Sequence, residues 1–419
     1  MPPEAVAPSL LRLPDPCLLL VLQFCADDQR TVFSAARTHS RLHQAVVALS
    51  SITAGLSQQQ HADGLLLYLE KHGQPLDSLS LVGGAHGAVS LQQLPSNLQL
   101  TTLQFEQVTL QLSSMQFGVQ QWWHNPNAAN DFPGVFGNAW TPALKQLRLK
   151  DCNLTDGYRG LASALPTGLE HLSLNRVYPP GNSDAEFPSQ VLQPLKQLTD
   201  LELVGMDAVG PSRHNPSWAP LKDLTRLAHL RLDRDAASLV SASNFSGLCQ
   251  LTYLKLASCA FEAGNLAGKT KLQHLDLCYV WCQGEAVEEA HLLSHLQQMQ
   301  QLTHMRLYGS LTQTVATANG SFSPPAAAFS ALTASTKLQH LDISGCKFPS
   351  GVWEHVFPTS KQMPHLRSLN VWFMLQPSSG GYADTRAAGP ESSRLSSCCP
   401  SLQLINTNNR WESFVGAQD

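Results

Sequence analysis

One pattern limits what this chain can fold into more than any other. The motif L-x-x-L-x-L recurs twelve times along most of its length. The copies begin as Leu76-Leu79-Leu81, Leu100-Leu103-Phe105, Leu144-Leu147-Leu149 and Leu169-Leu172-Leu174. They continue as Leu198-Leu201-Leu203, Leu227-Leu230-Leu232, Leu251-Leu254-Leu256 and Leu272-Leu275-Leu277, and end as Leu302-Met305-Leu307, Leu338-Leu341-Ile343, Leu366-Leu369-Val371 and Leu402-Ile405-Thr407. A self-similar unit of this length cannot bury its own apolar face and must stack on copies of itself. In each copy the fourth and sixth positions alternate with the third and fifth. This is strand periodicity, with leucines directed inward and the intervening residues outward. Stacked copies predict a curved parallel sheet on a concave face, with helices and irregular segments returning on the convex side.

The spacing decides what each return path can hold. Leu251 and Leu272 lie 21 residues apart, too few for a full helix; Leu272 and Leu302 lie 30 apart. In the longer gap, Val287–Met299 carries Leu292, Leu293, Leu296 and Met299 on one helical side. Ala326–Thr336 and Gly351–Met363 are further helix candidates. Three insertions interrupt the rhythm at 113–142, 309–325 and 376–400. The first carries Trp122, Trp123, Phe132, Phe136 and Trp140, and the last is rich in Ser and Gly. Such excursions serve either as functional rims or as linkers.

Three copies place a cysteine at the ninth position (Cys152, Cys259, Cys346) and an apolar residue two places on (Leu154, Phe261, Phe348). With the leucine motif, this resembles the leucine-rich-repeat superfamily, an α/β solenoid. In that family an asparagine or cysteine at this place ties down the turn that leaves the strand. Val108, Val177, Met206 and Asp235 occupy the same slot in other copies, so the turns are expected to vary.

Residues before Leu76 do not follow the twelve copies. Leu13-Pro14-Asp15 opens an apolar run to Phe24, Asp27-Asp28 breaks it, and Val32, Ala35, Leu42, Val46 and Leu49 follow at helical spacing. This order is similar to an F-box. The resemblance implies that Leu13, Pro14, Leu18 and Leu22 dock the adaptor of a cullin-RING ubiquitin ligase, and are exposed for that purpose. The other reading is a helical cap over the first repeat, which every solenoid needs. Ser57–Gly73, with Leu65, Leu66, Leu67 and Leu69, is the expected helix leading into Leu76. The predicted organisation is a helical unit at 1–56, a capping helix and linker at 57–75, repeats at 76–410 and a tail at 411–419.

Composition narrows the function classes. Charged residues are 14% and hydrophobic residues 43% of the chain, as in a folded protein. A net charge of −4 supplies no basic field for nucleic acid. None of the ten cysteines forms a CxxC pair and no zinc spacing is present, so reduced thiols and no cofactor are expected. Cys17–Ala26 has the apolar character of a secretory segment. However, Glu4, Asp15 and the bulky Phe24 argue against that reading, on which a secreted recognition protein would depend. No apolar stretch reaches the ~20 residues of a membrane span. Neither a G-x-S-x-G, a Walker loop nor an H-E-x-x-H is present, which points away from an enzyme.

The outward positions therefore carry the functional expectation. Third positions of successive strands read His229, Tyr253, His274, His304 and His340. Metal binding, pH sensing and plain duplication of one L-Q-H-L consensus each account for this column. Fifth positions read Arg148, Glu202, Arg231, Lys255, Asp276, Arg306 and Asp342, a mixture that suits a polypeptide better than a polyanion. At the eighth position Tyr279, Gly309, Gly345 and Phe373 predict a trough ~14 Å wide between aromatic rings, from ~4.8 Å per strand. The seventh position adds Tyr308, Ser344 and Trp372. These residues, with His274, His304 and Arg306, are the expected partner-binding surface. The sequence thus points to a protein–protein interaction module. One version is the substrate-recognition subunit of a ubiquitin ligase, in the cytoplasm or nucleus. The other is a cytoskeletal or axonemal scaffold. In neither is nucleic acid or membrane an expected partner.

Overall fold

The computed structural model describes Leu13, Pro14, Leu18, Val21 and Leu22 from the first stretch of the chain, then 40–110 except 48, 74–75, 85–88, 92–93 and 96–97. It further describes 143–178 except 155–157, 159–160 and 162–164; 189–205; and 219–311 except 234–238, 241 and 283–286. The remainder comprises 315–317, 320–322, and 324–414 except 373–374, 377–384, 387–388 and 408–410. The chain divides into two compact units, Met1–Gln197 and Leu198–Asp419.

In the first unit, five parallel strands pair in chain order among the described residues: β1 (Ser51–Leu56), β2 (Ser78–Gly83), β3 (Thr102–Glu106), β4 (Gln146–Lys150) and β5 (His171–Asn175). The register is the one the alternation demands. Leu79, Leu103, Leu147 and Leu172 face one another in one row, and Leu81, Phe105, Leu149 and Leu174 in the next. All eight are buried. A one-residue slip would turn each row into solvent, so the leucine spacing fixes the pairing.

Strand β1 was not expected, because residues 1–56 read as a helical unit. It is a thirteenth copy in disguise. Leu49, Ile52 and Ala54 occupy the first, fourth and sixth positions, with Ile52 opposite Leu79 and Ala54 opposite Leu81. All three are buried. Alanine in a leucine slot hides the motif. Helix α1 (Ser40–Val47) lies just before it and presents Leu42 and Val46 four residues apart on one face. They form a buried cluster with Leu18, Leu22 and Leu49, against which Ala45 and Tyr68 pack. Tyr68 belongs to α2 (Gln59–His72), the expected capping helix. Its Leu65 and Leu69 are buried, whereas Leu67 is 68% exposed.

In the second unit, β6 (Asp200–Val204), β7 (His229–Asp233), β8 (Tyr253–Ala257), β9 (His274–Cys278), β10 (His304–Arg306), β11 (His340–Asp342), β12 (Ser368–Asn370) and β13 (Leu404–Asn406) pair in parallel, in chain order. A last strand, β14 (Trp411–Ser413), closes antiparallel on β13, although it begins what was expected to be a tail. It covers the last edge of the parallel ladder.

The return paths follow the spacing. The 21-residue copy holds only a short 3-10 helix, Ala263–Leu266, while the 30-residue copy holds α3 (Val287–Gln297), with Leu292, Leu293 and Leu296 buried. Ala326–Thr333 is a 3-10 helix, and Gly351–Met363 keeps a single α-turn at Trp353–Val356. Within the insertions, Val315–Thr317 pairs antiparallel with Gly320–Phe322, and Leu375–Gln376 with Thr385–Arg386. The insertion at 113–142 lies outside the described residues, as do its aromatics.

One backbone rule unites the copies. Among the described residues of the twelve L-x-x-L-x-L copies, with Gly83 of the Leu76 copy as the exception, the eighth residue is left-handed: Gln107, Asp151, Arg176, Gly205, Ser258, Tyr279, Gly309 and Gly345, with φ between 50° and 69°. Here the chain turns off the strand. Three residues on, Leu110 and Leu154 in the first unit, and Phe261 with Cys282 in the second, pair in short parallel strands. The apolar eleventh position thus forms a second ladder in each unit.

Candidate partner-binding face

The thiol at the ninth position shows how each turn is held. Cys346 is fully buried and donates to the Leu307 carbonyl at 2.8 Å. Cys152 donates to the carbonyls of Lys150 at 3.3 Å and Phe105 at 3.5 Å. In each case the sixth-position carbonyl of the preceding copy receives the bond. Ser310 does the same with its hydroxyl, donating to Leu277 at 2.9 Å, a substitution the cysteine-based reading overlooked. Burial pushes the Cys346 thiol up to about 12 and Cys152 up to about 11. Both are structural hydrogen-bond donors rather than nucleophiles. Cys152, Cys249, Cys259, Cys278, Cys346 and the adjacent Cys398 and Cys399 are free thiols.

On the outward face of the second unit, strand register brings the third positions into one column. His229, Tyr253, His274, His304 and His340 are neighbours across β7 to β11. Their rings stack face to face, with centroid separations of 5.7, 4.5, 5.2 and 4.3 Å and interplanar angles between 18° and 25°. Sequence alone placed these residues in a row but could not show that their faces would close on one another. Two further side chains end the column. Asp200 lies 3.7 Å from His229 Nδ1, and Ser368 Oγ bonds His340 Nδ1 at 2.5 Å. Burial lowers the pKa of His274, His304 and His340. The neighbouring imidazoles His340 and His274 add to the effect on His304, whereas the Asp276 carboxylate opposes it at His274.

Beside the column, the fifth positions form a ladder of ion pairs. Glu202 meets Arg231 at 2.7 Å, and Asp276 meets Lys255 at 3.2 Å and Arg306 at 3.9 Å. Arg306 also meets Asp342 at 3.2 Å. The mixed signs read from sequence are thus mutually compensating. Asp276 is the centre of this ladder, with a side chain only 7% exposed.

The aromatic residues past the strands are arranged differently from the expected open trough. Tyr279 is 54% exposed. Its ring meets Tyr308 edge-on at 4.8 Å, and the two hydroxyls are 3.1 Å apart. The hydroxyl bond from Tyr279 is the main reason the Tyr308 phenol is pushed up to about 12. The Arg306 guanidinium sits 5.4 Å above the Tyr308 ring. Gly309 is not an empty slot. A Cβ there would lie 2.9 Å from Tyr279 Cδ1, so the tyrosine ring fills the space that glycine vacates. Ser344 is also corrected. It is fully buried, and its amide and hydroxyl both donate to Asp342 Oδ1. It therefore braces Asp342, which holds Arg306, and offers nothing to a partner. Trp372 is half-buried, and Phe373 lies outside the described residues.

The four N-terminal docking candidates are divided by burial. Leu18 and Leu22 are buried in their helical cluster, contrary to the expected exposure. Pro14 is exposed and Leu13 half-buried.

No protein-family model matches the chain, and no curated protein does. Solved structures do match. A leucine-rich-repeat protein of Leptospira interrogans is 18% identical, with a TM-score of 0.50 over 94% of this chain and 87% of that one. The fold is a leucine-rich-repeat solenoid. Two further solenoids are less similar. An internalin from Listeria monocytogenes is 12% identical, with a TM-score of 0.44 over 92% of this chain and 96% of that one. TLR13, solved as a complex with ssRNA13, is 15% identical, with a TM-score of 0.47 over 88% of this chain and 47% of that one. Among the described residues of this solenoid, no group of three or more His, Cys, Asp or Glu side chains is placed to hold a metal ion. No helix among them is long and apolar enough to cross a membrane.

Proposed function

We propose that this solenoid is a non-catalytic binding module that holds a polypeptide partner on the outward strand face of its second unit. One observation carries the reading. Tyr279 is more than half exposed while anchored to Tyr308, which is itself overlaid by Arg306. A rigid aromatic pair with few free rotors, beside charges already compensated, is what binding hot spots are built from. Trp372, His274 and His304 extend the same surface. A photo-crosslinking residue at position 279 should capture one defined partner, and a control at exposed Gln250 should not. The Tyr308→Ala, Trp372→Ala double variant should lose that capture while remaining folded, with stability lowered by about 1–2 kcal/mol. Equal capture by the double variant refutes the reading.

A finer version makes the protein the substrate-recognition subunit of a cullin-RING ubiquitin ligase, working in the cytoplasm or nucleus. The Leu13-Pro14-Asp15 opening supports it, and Pro14 is exposed. The competing version is a cytoskeletal or axonemal scaffold whose N-terminal helices only cap the first repeat. The burial of Leu18 and Leu22 supports that one. Co-purification of adaptor and cullin, abolished by Leu13→Ala with Pro14→Ala, decides between them.

A further inference from the structure

We propose that the stacked column His229–Tyr253–His274–His304–His340 is a proton-gated element. It is closed while the successive imidazoles of His274, His304 and His340 are neutral, and is driven open when neighbours among them take up protons in mildly acid solution. This goes beyond partner binding and does not depend on it.

The geometry carries the argument. Three imidazoles in succession, His274, His304 and His340, stack at 5.2 and 4.3 Å. Neutral rings attract at such distances. Two protonated rings repel, and since the faces are already in contact, no solvent can enter between them to screen the charge. Protonation must therefore either be suppressed or force the rings apart.

The surroundings do not supply enough negative charge to hold a doubly protonated stack together. From β6 the column is faced by Asp200 and Glu202, and from β7 by Arg231 and Asp233. Lys255 comes from β8, Asp276 from β9, Arg306 from β10 and Asp342 from β11; Arg367 precedes β12. Asp276 and Asp342 are already paired with Lys255 and Arg306, and Arg367 itself disfavours charge on His340. Asp200 stands 3.7 Å from His229 Nδ1 at one end of the column, and among the three successive imidazoles Asp276 favours a proton on His274. The hydroxyls at Thr303 and Ser368 bond Nδ1 of His304 and His340 and fix those rings in the closed arrangement.

The direction of the pH dependence follows. In the folded column His274, His304 and His340 bind protons less readily than in an unfolded chain, whose histidines titrate near ~6.5. Its stabilising contribution is complete above that value and is lost as pH falls below it towards the lowered folded midpoints.

Tyr253 reports the opening, because its ring lies between His229 and His274 at 5.7 and 4.5 Å. The full chain, carrying isotope-labelled histidine and fluorotyrosine, would be titrated by NMR from about pH 7.5 to about pH 5. Signals would be assigned through His340→Gln and Tyr253→Phe. The midpoints of His274, His304 and His340 should lie below that of free histidine, and the Tyr253 fluorine signal should shift along with them. In His340→Gln, the His304 midpoint should rise, because one repelling neighbour is gone. Two results overturn the proposal. One is independent titration at the free-histidine value. The other is normal protonation with an unmoved Tyr253 signal, which would show that the column takes charge without opening. Should His340→Gln fail to fold, His304→Gln serves, with His274 and His340 as reporters.

Discussion

Replacing Gly309 with alanine tests the turn geometry and the aromatic pair together. Gly309 has φ +63°, a left-handed conformation that costs an L-residue roughly 1–2 kcal/mol. Its new Cβ would also stand 2.9 Å from Tyr279 Cδ1 and 3.1 Å from Cε1. Real carbons do not approach so closely, so the ring must swing away. That motion breaks the hydroxyl bond to Tyr308 and the edge-on contact at 4.8 Å, together worth about 1 kcal/mol at an exposed site. The expected destabilisation is therefore about 2–3 kcal/mol. Urea unfolding followed by far-UV circular dichroism reads it as a lower midpoint at unchanged slope. The ring contribution can be isolated with Tyr279→Ala. In that background Gly309→Ala should cost only about 1–2 kcal/mol, because the left-handed penalty remains and the collision does not. The reasoning fails if Gly309→Ala alone costs less than about 0.5 kcal/mol, or if removing Tyr279 leaves its cost unchanged.

Asp276→Ala should destabilise the second unit by about 1–2 kcal/mol, since it takes the carboxylate from Lys255 beside a buried position, while Arg306 keeps Asp342. Chemical denaturation would show this, and a neutral result would mean the ion-pair ladder is decorative. Cys346→Ser should be nearly neutral because Ser310 already makes the equivalent bond in the preceding copy. Cys346→Val removes the thiol donor and leaves the Leu307 carbonyl with only the Ser310 amide at 3.2 Å, which should cost about 1 kcal/mol. Equal stability of the two variants would show that the carbonyl does not need its donor.

Much of the fold is determined by the sequence alone, because the leucine spacing leaves one solution. A period of two within each copy sets which side chains face inward, and a one-residue shift would expose every leucine. The copy lengths also decide the return paths, as the 3-10 turn at Ala263–Leu266 and the helix Val287–Gln297 show. Strand β1 escaped because Ala54 fills a leucine position, and small residues carry little signal in a pattern defined by bulk. Gly309 was misread for a related reason. Sequence shows that a side chain is missing, but only the tertiary structure shows whose side chain fills the gap, here that of Tyr279. Ser344 looked available because it follows a strand, yet its hydroxyl turns inward to Asp342, a choice set by the Arg306 ion pair on the adjacent strand. The same holds for the histidines. Their row follows from register, but whether the rings fan out or stack depends on rotamers set by Thr303, Ser368 and the neighbouring faces, contacts between strands that sequence periodicity does not encode.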